Sequence, residues 1–123
     1  MSGSLAESMA HITQIDDREI VRRLVNHLGM TAVAALAASS DATAPWSWLK
    51  SGHLPAGACE RVRVAHHVWQ EMADAENEST TRAWFVGKTP LLGEQSPVLA
   101  LREGRCSDVL LAAAAFLEGT WSA

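Results

Sequence analysis

The side chains of this 123-residue chain that could do chemistry are few, and their spacing argues against most of it. His66 and His67 are the obvious pair of metal ligands. Adjacent residues on a helix point about 100° apart, so these two cannot share an ion without outside help. One histidine in water and one at the edge of the packing is the expectation. Cys59 and Cys106 are far apart and in no metal-ligand spacing, which predicts two reduced, structural thiols. Asp and Glu fall at helix starts or in the acidic run Asp74–Ser79, not as a close pair suited to acid–base work. No Ser-His-Asp or Cys-His motif and no Gly-rich phosphate loop is present. The expectation is a protein that is not an enzyme and takes no metal or cofactor.

Recognition is the chemistry that is left. Ten Lys and Arg stand against fourteen Asp and Glu, a formal net charge of −4. Residues 17–63 nevertheless hold six basic and four acidic side chains, the one stretch with an electrostatic case for nucleic acid. Its candidate contacts are Arg22, Arg23, Thr43, Ser47, Lys50, His53, Arg61 and Arg63. The Arg, Asn and Gln side chains that read purine edges bidentately are missing from Thr43–Lys50. DNA contacts are therefore expected to be mainly to phosphate, weakly specific and steeply salt-dependent. Trp46 and Trp48 lie two apart and cannot both face the core of one helix, so one is free to stack on a partner. Trp121, just past Gly119, has two readings: an anchor for a partner, or an aromatic that packs back on Trp84.

The elements that must position these residues read as an all-α chain. Asp16 with Glu19 three residues later has capping-box spacing, and Ile20, Val21, Leu24, Val25 and Leu28 form a stripe that Gly29 ends. Thr31 is placed to cap a second helix carrying Val33, Leu36 and Ala37. Residues 39–43 are a turn signal, Pro45 sits in the first turn of a third helix, and residues 51–55 end it. Val62, Ala65, Trp69 and Met72 predict a helix over 58–74. Ser96-Pro97 starts a further helix and Gly104 stops it. Ser107-Asp108 starts the last, where Val109, Leu110, Ala113, Phe116 and Leu117 recur until Gly119. Met1–Ile15 is small, polar and unpatterned, a flexible arm without the regions of a signal peptide, and no apolar run reaches a membrane span. A cytoplasmic protein with no membrane partner is expected, organised as an arm over 1–15, a module over 16–75 and a second over 79–123.

The order of these signals resembles a known family. Trp84-Phe85, Pro90, Leu92, Ser96-Pro97, Leu101, Arg102, Gly104, Val109-Leu110 and Glu118-Gly119-x-Trp121 are similar to the toxin-binding domain of the Xre/MbcA/ParS antitoxins. Lys88-Thr89 departs from the small polar pair often found before the proline. Leu28-Gly29-Met30-Thr31 and Trp48-Leu49-Lys50-Ser51-Gly52-His53-Leu54-Pro55 resemble the helix-turn-helix module of the same family. The resemblance implies a helix-turn-helix followed by a small helical domain that binds a toxin and dimerises. It implies as partner a RES-domain toxin that consumes NAD, neutralised when the C-terminal region covers its active site, with autorepression through the helix-turn-helix. Phe116, Leu117 and Trp121 would then form the apolar edge entering the toxin's cleft, with Glu118 and Arg102 at its polar rim. The alternative is a stand-alone helix-turn-helix regulator, of host or phage, that uses the C-terminal domain only to dimerise.

Overall fold

The computed structural model describes residues 16–119, so the expected arm Met1–Ile15 and the tail with Trp121 lie outside the described residues. The described chain is all-α. Its helices are α1 (Asp17–Leu28), α2 (Met30–Leu36), α3 (Ala44–Ser51), α4 (Ala56–Ala75), α5 (Glu78–Val86), α6 (Pro97–Arg102) and α7 (Cys106–Glu118), with a 3-10 turn at Pro90–Leu92. The longest, α4, is the hub: α1, α2, α5, α6 and α7 all pack on it. Its buried face is the expected Val62, Ala65, Trp69 and Met72, joined by Ala58, His66 and Val68. Among the described residues no helix is long and apolar enough to cross a membrane.

Local chemistry accounts for most helix ends. The Asp16 carboxylate accepts from the Arg18 N–H at 3.1 Å and starts α1. Glu19 does not close the capping box. Its carboxylate instead takes Arg22 and Arg23, at 2.5 and 2.8 Å, because both guanidinium groups lie one turn further along the same face. Those partners, Arg22 first, hold the Glu19 carboxyl below its ordinary value. Gly29, at φ 93° and ψ 159°, both ends α1 and begins α2. The second helix thus starts at Met30, and Thr31 is an exposed first-turn residue, not a cap.

The Ser96 hydroxyl accepts from Leu99 N–H at 3.1 Å, and Pro97 follows in the first turn of α6. Gly104, at φ 81°, closes that helix in a Schellman turn: its N–H donates to Leu101 O, and that of Arg105 to Ala100 O, both at 2.9 Å. The same turn ends α2, but there the left-handed position is held by Ala38 at φ 66°. Ala38 N–H donates to Ala35 O at 3.0 Å and Ser39 N–H to Ala34 O at 2.9 Å.

The boundary expected at Asp74–Ser79 is a tight corner. Glu76 N–H donates to Met72 O, and the Asn77 side chain then caps α5 by accepting from Thr80 N–H, both at 2.8 Å. The core runs past this corner without a break. Ile20, Leu24, Val33 and Trp48 belong to one cluster with Phe85, Leu101 and Val109, so residues 16–75 and 79–119 share a core.

A left-handed alanine is strained by its Cβ, at a cost of roughly 1 to 2 kcal/mol, whereas glycine is not. Ala38 is exposed, so no packing is lost with its methyl group. Ala38→Gly should therefore raise stability by about 0.5 to 1 kcal/mol after the entropy glycine adds to the unfolded chain. A shift of the urea midpoint upward at unchanged slope is the expected result.

Candidate interaction surfaces

The eight residues expected to meet nucleic acid divide into two groups. Thr43, Ser47 and Lys50 lie exposed on or beside α3, and His53 follows just beyond its end. Pro45 in the first turn and Gly52 at φ 77° fix the length of this helix. Trp48 is 6% exposed and belongs to the core, while Trp46 is 56% exposed. The Lys50 ammonium sits 5.7 Å from the centre of the Trp46 ring, within cation–π range. Thr43 donates its hydroxyl to Asp41 Oδ1 at 2.8 Å, and Asp41 also takes Thr43 N–H, which lowers the Asp41 carboxyl from its ordinary value.

The four arginines are engaged elsewhere. Arg22 and Arg23 pair with Glu19, and Arg63 Nη2 lies 2.6 Å from Asp17 Oδ1. Arg61 is half-buried, with Nε donating to Leu101 O at 2.7 Å and Nη1 to Gly57 O at 2.8 Å. Each of the four thus has a partner within the chain, with Glu19 shared between Arg22 and Arg23.

The residues expected at a toxin are also divided. Arg102 is half-buried and faces its own chain: Nη1 donates to Ala35 O at 3.1 Å and Ser39 O at 3.0 Å, bracing the end of α2. Phe116 and Leu117 are partly buried against the core, and the Phe116 ring stands 6.3 Å from Trp84. Glu118 is exposed at the end of α7, and Trp121 is outside the described residues.

The apolar surface in this region is formed by other side chains. Leu111 is 69% exposed and Leu91 52%; with Asp108, Ala112 and Ala115 they line a groove of about 230 Å³. Leu110, expected in the apolar stripe with Val109 and Ala113, is also exposed, because it lies about 100° around the helix from the buried Val109. Leu91 and Leu111 carry the signal that periodicity alone misses. Val109, Leu110 and Leu111 together sweep about 200° of a helix, and a helix packed on one side can bury only part of that arc. Val109 takes the core position and Leu111 is left in water. Single exposed leucines need no explanation, whereas Leu91 and Leu111 face one groove together.

The remaining reactive groups are structural. Burial pushes both thiols up, Cys59 also through its 3.5 Å hydrogen bond to Asp17, so neither is an activated nucleophile. His67 is exposed with Nε2 3.2 Å from Glu71, while His66 is buried, as their angular separation requires. Among the described residues no group of three His, Cys, Asp or Glu side chains is placed to hold a metal ion. The chain matches no family profile, no curated protein and no solved structure.

His66 and His27 share a consequence. Burial, reinforced for His66 by Arg23, His27 and His67, lowers the pKa of His66 below its ordinary 6.5. Burial also lowers that of His27, whose ring stacks on Trp69 at 4.3 Å with Arg82 on the same indole. A depressed histidine binds its proton more readily in the unfolded chain. Its contribution is intact above the unfolded value and is lost as pH falls below it. Stability should decline between about pH 7 and pH 5, before carboxylates such as Glu19 titrate. Urea midpoints across that range should fall, and His66→Gln should flatten the decline.

Proposed function

We propose that this chain is an antitoxin of the RES–Xre kind, a binding protein that neutralises a partner toxin through its C-terminal region. The observation that carries this reading is the groove between Leu91 and Leu111. It lies on the segment whose residue order resembles the toxin-binding domain, and its leucines have no cover within the described chain. A partner that buries them removes apolar surface from water at about 25 cal/mol per Å². Because Phe116 and Leu117 lean on the chain's own core, the centre of the contact moves to Leu91 and Leu111. Pairing of two copies through the C-terminal helices and weak autorepression through α3 complete the proposal. In the alternative of a stand-alone regulator a second copy of the chain would cover the groove instead, and rescue from the toxin separates the two.

Co-expression with a RES-type toxin tests the reading directly. The intact chain should restore growth and NAD content in arrested cells. Leu111→Asp combined with Leu91→Asp places charge in the apolar contact while touching no core position. Losing such anchors typically costs about 2 kcal/mol or more, so rescue should fail while helical content is kept. Failure of the intact chain to rescue against any RES toxin, with both proteins expressed and folded, would remove the proposal.

The tail and the dimer are read separately. Deleting Thr120–Ala123 should abolish rescue and leave the circular dichroism spectrum unchanged if Trp121 anchors the toxin. Unfolding on deletion would assign Trp121 to the core instead. Light scattering at micromolar concentration should report a dimer, and a monomer there would separate neutralisation from pairing.

A further inference from the structure

On α3, the exposed Trp46 has polar side chains close by, yet none has the reach of a base-edge reader. One turn on either side are Thr43 and Lys50, Ser47 follows in sequence, and α3 itself carries no carboxylate, the nearest acid being Asp41, which accepts the Thr43 hydroxyl. An aromatic anchor for a protein is ordinarily ringed by apolar neighbours that exclude water. Trp46 instead has the Lys50 ammonium 5.7 Å from its ring, with Thr43 one turn before it and Ser47 next to it in sequence. At the same end of α3 as Lys50, Arg18 lays its guanidinium against Gly52, where a Cβ would stand only 2.6 Å from Nη2. Arg18 is exposed and, unlike Arg22, Arg23 and Arg63, has no carboxylate within ion-pair distance among the described residues. The end of α3 therefore combines an exposed indole with two cations, while Arg22, Arg23 and Arg63 lie in ion pairs and Arg61 donates to backbone carbonyls.

We infer that this face binds single-stranded nucleic acid, with an unpaired base stacked on Trp46 and the adjoining phosphates on Lys50 and Arg18. Duplex DNA offers no open base face to an indole, and α3 lacks the Arg, Asn or Gln that would read a major-groove edge. A single strand offers both the ring and the phosphate, in the combination that stacking platforms use. Lys50 over the indole already marks where a cation rests beside a stacked ring. The inference rests on the proposed function only in placing nucleic acid at α3, and changes what is recognised there from a duplex operator to unpaired nucleotides.

The test is fluorescence anisotropy of a labelled oligo-deoxythymidine of about 15 nucleotides, within the usual site size, against a duplex of equal length. The full chain should bind the single strand more tightly than the duplex. Two phosphate contacts give a slope of log affinity against log salt of about −1.4, shallow beside a many-contact duplex binder. Trp46→Ala should weaken binding about tenfold or more, Trp46→Phe should retain most of it, and Trp46→Leu should behave like alanine. Lys50→Ala should flatten the salt slope by roughly half. Equal or tighter binding of the duplex would overturn the inference. So would full activity of Trp46→Leu, which would make the residue an apolar contact for a protein. Growth rescue against the toxin should be unchanged in Trp46→Ala, so loss of oligonucleotide binding and loss of neutralisation are distinguishable.

Discussion

Arginine side chains that reach across the fold to the carbonyl ends of short helices hold this structure together. An α-helix leaves its last four carbonyls without intrahelical partners, and in helices as short as α2 and α6 these are a large share of the backbone. Arg82 Nε donates to His27 O at the end of α1, and Arg102 donates to Ala35 O and Ser39 O at the end of α2. Arg61 donates to Leu101 O near the end of α6, and Arg105 Nη1 to Leu92 O in the 3-10 turn. A cation at a helix C-terminus also meets the negative end of the helix dipole, and a hydrogen bond from a charged donor is worth roughly 1.5 to 3 kcal/mol. Three of the four link the segments before and after the Glu76-Asn77 corner. The polar ties and the common core therefore join the same pieces, and each makes the other's geometry more exact.

That use of arginine explains why the binding residues were harder to read than the helices. Helix starts and stops are local, and Asp16, Ser96, Gly52 and Gly104 stand where the sequence signals put them. Gly29 ends α1 as its signal says but also starts α2, which the sequence placed at Thr31, and Ala38 takes a left-handed turn that its residue type disfavours, held there by the Schellman bonds and by Arg102. Whether an arginine faces solvent or a carbonyl 40 to 67 residues away is decided by tertiary packing, which no sequence window contains. Arg61, Arg63 and Arg102 all looked available on charge and spacing, and all three have partners within the chain.

The apolar surface shows the same limit from the other side. Phe116 and Leu117 were legible as an apolar stripe because they recur at helical spacing, and that spacing is also what turns them toward the core. Leu111, which remains in water, stands outside that periodicity, while Leu110, within the predicted stripe, is exposed as well. Trp46 is the parallel case on α3: with Trp48 committed to the core two residues on, its indole is forced outward. In both places the informative signal is a large apolar residue out of phase with a well-phased neighbour.

A shared core also links the two surfaces energetically. Neither α6 nor α7 is long enough to be stable alone in water; α7 packs on α4, and α6 chiefly on α2 and α7. A partner that binds only the folded chain stabilises all of it by mass action, by about 2.7 kcal/mol at a free concentration a hundred times its dissociation constant. Occupying the groove at Leu91 and Leu111 therefore deepens the well that also keeps α3 formed, without any movement of one surface relative to the other. The converse holds for a ligand on α3. Coupling of this kind reports on folding, so it is largest when the free chain is least stable, as the neutral histidines make it at low pH. In a chain with a wide stability margin the two surfaces act independently.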